Sequence, residues 1–176
     1  SYFDPSWSPD GKKIVFMSYG ENPSSGKKKY TIFTMNADGS KEVQLSDPPK
    51  SIEGDMDPSW SPDGTKIAFV SYKKSLQSEI FLINPDGTER EQLTYMEHYA
   101  YSPIWSSDGK YIVFSRGMQK GSEIYRMNSD GTDIVRLTKN GSWDLRPKFS
   151  PDSTKISWDS CCFNMSVMKL DGTDVM

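Results

Sequence analysis

Three acidic residues alternate in the segment "EGDMD", where Glu53, Asp55 and Asp57 are each separated by one residue. In an extended segment, alternate side chains point to the same side, so three carboxylates would face one site. Calcium takes roughly six to eight oxygen ligands, of which this group would supply only part. Asp57 also has a counterpart, Asp4, in a nearly identical string. A structural role for Asp57 is therefore the simpler prediction, and calcium binding is the alternative.

The sequence lacks a complete set of residues for nucleophilic catalysis or for zinc binding. His98 is the only histidine, and the sequence contains no G-x-S-x-G string, although a catalytic serine needs a positioned base and an orienting acid. Cys161 and Cys162 are adjacent, which strains a disulfide between them and differs from the usual spacing of zinc ligands. We therefore expect a non-catalytic protein without a cofactor, with the cysteine pair at the tip of a hairpin.

Aromatic and charged residues gather in two irregular segments, "TYMEHYAYS" and "TKNGSWDLR". Aromatic rings together with an arginine are typical of the energetic hot spots of protein interfaces. The alternative for any single ring is that it covers the edge of a neighbouring element. We predict that the group as a whole binds a partner, and its members are Tyr95, His98, Tyr99, Tyr101, Trp143, Asp144 and Arg146.

These segments separate four copies of one pattern. The string "DPSWSPDGKKIVF" begins at Asp4, and "DPSWSPDGTKIAF" begins at Asp57. Each copy has an aromatic residue, a turn, two apolar runs and a second turn containing Asp-Gly. The first three copies end in the short runs "VQLS", "EQLT" and "VRLT". Helical periodicity is absent throughout, so the sequence predicts an all-β fold with four strands in each repeat.

The turns and the apolar runs together indicate the architecture. Pro, Asp and Gly favour the successive corners of a tight turn, which joins antiparallel neighbours. The runs "IVFM" and "IAFV" are apolar at every position, so both faces of these strands must be covered. Four short strands in about 40–50 residues are typical of a propeller blade. We predict a single propeller domain over residues 1–176, with four-stranded blades at approximately 4–46, 57–94, 102–138 and 146–176.

The core "PSWSPDG", followed by "EIFLINPDGT" and "EQLT", resembles the repeats of the TolB-like β-propellers, which are relatives of the WD-type repeats. The resemblance covers essentially the whole chain. Similar blades occur in the propeller domains of prolyl oligopeptidase-like enzymes, so the resemblance indicates the fold rather than the function. It implies a periplasmic or secreted location. The fourth repeat departs from the pattern, because Phe149 replaces Trp, Ser153 replaces Gly and Lys169 replaces Asn, as expected of a terminal repeat.

Connectivity predicts which end of the blades binds a partner. With the strands of a blade labelled a to d, the short and uniform a–b and c–d turns lie at one end. The irregular b–c and d–a connections then lie together at the other end. Variable loops on a uniform scaffold are where recognition is usually placed, so we predict that the b–c and d–a face binds. The only basic run, Lys27 to Lys29, is expected in a solvated b–c loop.

Composition excludes several classes of protein. A net charge of -3 with 26% charged residues lacks the basic footprint of a nucleic-acid binder. No apolar run exceeds four residues, so the sequence predicts neither a membrane-spanning helix nor a signal peptide. The cellular compartment stays open on this evidence.

We therefore expect a module that binds a protein or peptide. One alternative is a propeller piece of a larger enzyme, such as the gating domain of a serine peptidase. Another is a propeller that binds a sugar or other small ligand through Trp143 and the tyrosines. Four blades are about the lower limit for a propeller, and an open stack would leave two apolar faces bare. We expect two chains to close one larger ring as a homodimer with two-fold symmetry; a four-bladed monomer and a piece of a longer propeller are the alternatives.

Overall fold

A computed structural model describes residues 2–22, 26–49, 51–73, 77–95, 98–118, 121–161 and 164–176. These residues form fifteen β-strands with almost no helix, which confirms the predicted all-β class. In the described part of the chain, no helix is long and apolar enough to cross a membrane. The chain divides into two compact units, Ser1–Glu97 and His98–Met176, and each contains two antiparallel β-meanders.

In the first unit, the strands of each meander pair in chain order. The first meander contains β1 (Tyr2–Trp7), β2 (Lys13–Asn22), β3 (Lys27–Asn36) and β4 (Val43–Gln44). The second contains β5 (Ile52–Trp60), β6 (Ile67–Lys73), β7 (Gln77–Ile83) and β8 (Glu91–Gln92). The two meanders meet where Tyr30 forms a parallel bridge with Gly54. A Cβ at Gly54 would lie 2.9 Å from Tyr30 Cβ, so this close approach requires glycine.

The second unit repeats the plan. Its first meander contains β9 (Tyr99–Trp105), β10 (Tyr111–Met118), β11 (Gly121–Asn128) and β12 (Val135–Arg136). The other contains β13 (Leu145–Phe149), β14 (Lys155–Ser160) and β15 (Asn164–Lys169). Val167 of β15 exchanges two backbone hydrogen bonds with Met176. At the equivalent position of the other three meanders, the fourth strand pairs with the third.

The first turn of every meander is held by the same hydrogen bonds. After β1, Ser8 Oγ donates to Asp10 Oδ1 at 2.7 Å, and Lys12 N–H donates to the same oxygen at 3.1 Å. Lys13 N–H donates to Ser8 Oγ at 2.8 Å. These bonds recur at the pairs Ser61 and Asp63, Ser106 and Asp108, and Ser150 and Asp152. Because the bonds are local to the turn, the repeated string fixes its conformation.

The second turn is held in a similar way. Ser40 donates to Asp38 Oδ1 through both its N–H, at 2.9 Å, and its hydroxyl, at 2.6 Å. Threonine does the same in the other three meanders, toward Asp86, Asp130 and Asp171. Ala37 N–H donates to Lys12 O at 2.8 Å, which joins the second turn to the first. The two types of turn therefore lie at one end of the meander, as predicted.

A bulge bends the first strand of each meander at the residue before proline. The backbone is left-handed at Asp4 (φ 47°), Asp57 (53°), Ser102 (49°) and Arg146 (52°). The pairing register shifts beside each of these residues, as in a β-bulge. Asp57 thus shares a backbone role with Asp4, and the segment that carries Glu53, Asp55 and Asp57 is not one uniformly extended run.

Apolar side chains from two meanders form each core. In the first unit, Trp60 is only 8% exposed and belongs to a cluster with Val15 and Ile32 of the preceding meander. Trp7 holds the same place in the first meander and is 58% exposed. In the second unit, the core cluster is Val113, Ile124, Ile156, Trp158 and Met168. As in other repeat proteins, a meander buries its apolar face against a neighbour of the same shape.

Two residues that differ from the repeat pattern, Ser107 in the third repeat and Ser153 in the fourth, compensate for each other. Ser153 replaces a turn glycine yet adopts its left-handed backbone, with φ 56°. Its hydroxyl lies 2.8 Å from the hydroxyl of Ser107 and accepts a bond from Ser107 N–H at 2.7 Å. Ser107 stands where Pro9 stands in the first repeat, and a Cβ at Gly64 would contact the Pro9 ring at 3.6 Å. A Pro–Gly contact between successive turns is thus replaced by a Ser–Ser hydrogen bond.

The b–c connections are more regular than predicted. In the first meander, β2 and β3 pair up to Asn22 and Lys27, so most of the segment predicted to be irregular is a hairpin. The prediction of a solvated basic loop is wrong for Lys29, which is 4% exposed. Its ammonium group donates to three backbone carbonyls, those of Pro48, Pro49 and Ile52. These carbonyls belong to the d–a connection, and the lysine supplies the donors that they need.

The turn carboxylates predict how stability depends on pH. The hydroxyl of Ser150, with the N–H and hydroxyl of Thr154, lowers the pKa of Asp152 from 3.8 to about 2. The pKa values of Asp10, Asp63 and Asp108 are also lowered, with the matching serine hydroxyl as the largest cause. A lowered folded-state pKa contributes stability above the unfolded value, and this is lost as pH falls through the folded value. We expect the free energy of unfolding to fall between about pH 4 and pH 2.

Ser150→Ala removes the main donor to Asp152 and should move the acid-unfolding midpoint, followed by circular dichroism, to higher pH. Ser129→Ala is the control, because the bond of Ser129 to Lys110 is made by its backbone N–H. An unchanged midpoint in Ser150→Ala would contradict this assignment.

Candidate functional site

The structure places the predicted binding residues in both units. Tyr95 belongs to the first unit and is highly exposed. His98, Tyr99 and Tyr101 lie at the start of the second unit, where the two tyrosine rings stack with centroids 5.6 Å apart. Nδ1 of His98 is buried and has no hydrogen-bond partner within the described ranges. These residues give aromatic surface but no complete catalytic set.

The other three predicted residues, Trp143, Asp144 and Arg146, surround the start of β13. Trp143 and Arg146 line an open pocket of about 400 Å³. The remaining lining residues are Leu145, Asp159, Ser160, Cys161, Asn164 and Met165. The pocket therefore lies between the segment that enters β13 and the β14–β15 hairpin, which is the d–a and b–c end of this meander. Cys161 directly follows β14, and Cys162 lies outside the described residues.

The mouth of the pocket combines apolar surface with one ion pair. Trp143 is 45% exposed, and the side chain of Met165 is also exposed. Arg146 Nη1 donates to Asp159 Oδ2 at 3.3 Å, and both side chains are largely exposed. Because such a pair contributes little to folding stability, its members can exchange their bond for one to a ligand at small cost.

Glu123 of β11 positions the segment that carries Trp143. Its carboxylate accepts hydrogen bonds from the Thr138 hydroxyl at 2.7 Å, the Gly141 N–H at 2.8 Å and Arg136 Nη2 at 2.8 Å. Burial raises the pKa of Glu123, but these hydrogen bonds outweigh burial and lower it below its ordinary value. The charged form thus anchors the chain between β12 and β13.

Asp144, which follows Trp143 in the same segment, is held by hydrogen bonds to Ser122 and Asn140. Its backbone N–H donates to Ser122 O at 2.9 Å, and the Ser122 hydroxyl donates to Asp144 O at 2.8 Å. Asn140 Nδ2 donates to Asp144 Oδ2 at 3.0 Å. The side chain is fully buried, and its Oδ1 has no hydrogen-bond partner among the residues that the structure describes. A buried carboxylate oxygen without a partner costs free energy, and Asp144 is not among the residues that line the pocket.

The alternating acids of the first unit serve a different purpose. Asp55 is fully buried and receives two bonds from Arg90, Nη1 to Oδ2 at 2.7 Å and Nη2 to Oδ1 at 3.0 Å. The same guanidinium donates to Ser71 Oγ at 2.8 Å and lies over the rings of Phe69 and Phe81, 4.8 and 4.6 Å from their centroids. Arg90 thus already binds the Asp55 carboxylate, which would have to be a ligand in the alternative of calcium binding. Within the described ranges, no group of three His, Cys, Asp or Glu residues is placed to hold a metal ion.

Sequence reasoning found only part of the pocket. Trp143 and Arg146 were identifiable because an aromatic residue and an arginine stand in a variable segment. Ser160, Asn164 and Met165 were missed, since they belong to a hairpin whose place depends on tertiary packing. A signal did exist, because the b–c segment "DSCCFN" lies in the repeat that departs most from the pattern.

Comparison with known proteins agrees with this architecture. The sequence matches the family described as TolB beta propeller domain over residues 19–162. A TolB homolog of Chlorobium luteolum is 32% identical over 162 residues, which are 92% of this chain and 34% of that protein. An uncharacterized peptidase of Bacillus subtilis, YuxL, is 26% identical over 124 residues, 70% of this chain and 18% of that protein.

A solved structure supports the same fold. The structure of a putative TolB from Agrobacterium tumefaciens has a TM-score of 0.75 and 21% identity, and the match covers 100% of this chain and 79% of that one. This chain spans 34% and 18% of the two curated relatives. With a family match that extends over most of its residues, this chain belongs to the TolB β-propeller domain family.

Proposed function

We propose that this chain is a non-catalytic propeller module that binds a protein or peptide at the pocket lined by Trp143, Arg146 and Met165. The observation that carries the proposal is a half-exposed tryptophan beside an exposed methionine and an arginine in one concave site. Tryptophan and arginine are enriched in interface hot spots, and methionine adapts to varied partners. The pocket lies beside the b–c and d–a connections, and variable connections on a uniform scaffold favour recognition. Relationship to TolB favours a periplasmic or secreted setting.

The test is a peptide selection followed by one substitution. Peptides selected from a random display library on the wild-type chain should lose at least roughly tenfold in affinity when Trp143 becomes alanine, because the ring supplies a hot spot. Tyr19→Ala is the matched control, since Tyr19 is 47% exposed and lies in the other unit. Equal affinity of every selected peptide for wild type and Trp143→Ala would exclude this pocket as the site.

A second candidate is a propeller domain of a larger hydrolase. It is favoured by the similarity to YuxL, of which this chain matches 18%. The hydrolytic serine would then lie outside this sequence, in a G-x-S-x-G string of a strand–turn–helix. Sequencing the complete gene distinguishes the two candidates, because the binding module requires no such string.

We further infer that two chains pair through the face that carries Trp7 and complete one propeller ring. Trp60 is buried by the meander that precedes it, whereas Trp7, at the equivalent position, is 58% exposed. Ile14, which pairs with both Trp7 and Met35, is only partly buried, and so is Met35 on the same face. An exposed apolar face of this kind is typical of an interaction surface, and a second copy presents meanders of the matching shape.

Light scattering on a sizing column should therefore give about twice the chain mass of 20.0 kDa at micromolar concentration. Trp7→Arg should shift the protein toward the monomer, and Tyr19→Arg should leave the dimer intact. A mass of one chain at every concentration would contradict the inference.

A further inference from the structure

Arg146 has a backbone conformation that rarely suits arginine. It is the left-handed residue of the bulge in the fourth meander, with φ 52°. Short polar residues hold the same position in the other meanders, namely Asp4, Asp57 and Ser102. Aspartate and asparagine adopt the left-handed region more readily than long side chains, because a short polar group can bond locally to the backbone. The arginine is therefore conformationally unfavourable here, and such strain is often retained at functional sites.

The contacts of Arg146 within the fold do not offset this strain. Its side chain is 75% exposed. Among the described residues its guanidinium makes one hydrogen bond, from Nη1 to Asp159 Oδ2 at 3.3 Å, longer than the roughly 2.7–2.9 Å of a strong charged bond. Arg90, by contrast, uses both Nη atoms on the Asp55 carboxylate, at 2.7 and 3.0 Å. Because a guanidinium carries five N–H donors, Arg146 keeps donors for a ligand.

The same face of the sheet carries a second cation. Leu145 pairs with Asp159 and Lys148 pairs with Ser157, so these side chains share the face on which Leu145 and Asp159 line the pocket. Lys148 is exposed and belongs to no ion pair in the described part of the chain. Ser157 replaces the buried valine or alanine of the other three meanders. With Arg146, Lys148 and Asp159 together, this face has a net charge of one positive unit.

Apolar surface lies directly beside the cations. Trp143 and Met165 line the pocket together with Leu145, and Met165 is 74% exposed. The other three meanders have a fully buried isoleucine at the position of Met165. A ligand that matches this surface carries an acidic group next to an apolar one.

We propose that Arg146 recognises a carboxylate of the protein or peptide partner, and that Lys148 adds to the attraction for an acidic segment. Arg146 exchanges its single bond to Asp159 for a two-bond contact with the incoming carboxylate, while an adjacent apolar side chain packs on Trp143 and Met165. This inference rests on the proposed function, because it names the partner chemistry of the same pocket. The preferred partner is a segment in which aspartate or glutamate neighbours an apolar residue.

The first experiment separates folding from binding at Arg146. Arg146→Asn should raise the Tm by about 2 °C, because asparagine suits the left-handed backbone better than arginine. Lys155→Asn is the control, since Lys155 is exposed on β14 of the same meander without a left-handed backbone, and it should give no increase. A Tm of Arg146→Asn equal to or below that of wild type would overturn the argument that arginine is kept here for binding.

The second experiment measures binding of a defined probe by NMR at low ionic strength, where exposed charges are least screened. The probe is the acetylated, amidated tripeptide glutamate–leucine–glutamate, and its neutral match has glutamine in both outer places. Arg146→Asn should weaken the acidic probe about fivefold and Lys148→Ala less. Asp159→Asn should strengthen it, because Arg146 is released. Lys110→Ala is the control, since it removes an exposed cation beside Asp108 in a turn of the same unit, and should leave binding unchanged.

The outcomes separate this inference from the proposed function. Equal binding of the acidic and neutral probes to wild type, or equal binding of the acidic probe to wild type and Arg146→Asn, would overturn carboxylate recognition. Display-selected peptides that lack acidic residues yet lose affinity in Trp143→Ala would also overturn it, and would leave the binding pocket standing. Selected peptides that are rich in acidic residues and lose affinity in both Trp143→Ala and Arg146→Asn would support both.

Discussion

The structure depends on side-chain hydrogen bonds that fix the turns in the same conformation in every repeat. The serine and aspartate of each first turn bond to each other and to the local backbone, and each first strand bends at the same bulge. The pairing register is therefore repeated from meander to meander. Because the register is fixed, residues at equivalent positions of different meanders have the same backbone surroundings. A substitution at one such position therefore changes the side-chain contacts without changing the backbone.

The acid that precedes the bulge shows what this constraint allows. In the second meander the acid is neutralised within the chain, because Arg90 covers Asp55 and stacks on two rings. In the fourth meander, one oxygen of the equivalent buried carboxylate, that of Asp144, has no hydrogen-bond partner among the described residues. Breaking a local rule without compensation is expected at functional sites.

The sequence predicted those features that are encoded locally. The turns follow from strings of four to six residues, so their positions and the all-β class were predictable. The bond between Asp55 and Arg90 joins residues 35 apart, and Lys29 is buried by carbonyls about 20 residues away, so neither could be read from spacing alone. Trp143 and Arg146 were predicted, whereas Ser160 and Met165 required the pairing of β13, β14 and β15.

The most direct test compares one substitution at the two equivalent acids. Asp55→Asn removes the carboxylate charge that neutralises Arg90, and should lower the free energy of unfolding by about 3 kcal/mol. Asp144→Asn keeps an acceptor for Asn140 and replaces only the oxygen that has no hydrogen-bond partner among the described residues. It should change stability by less than about 1 kcal/mol or increase it. Urea unfolding of both variants measures this difference. A loss in Asp144→Asn as large as that in Asp55→Asn would show that Asp144 is already satisfied within the fold, and would contradict the account.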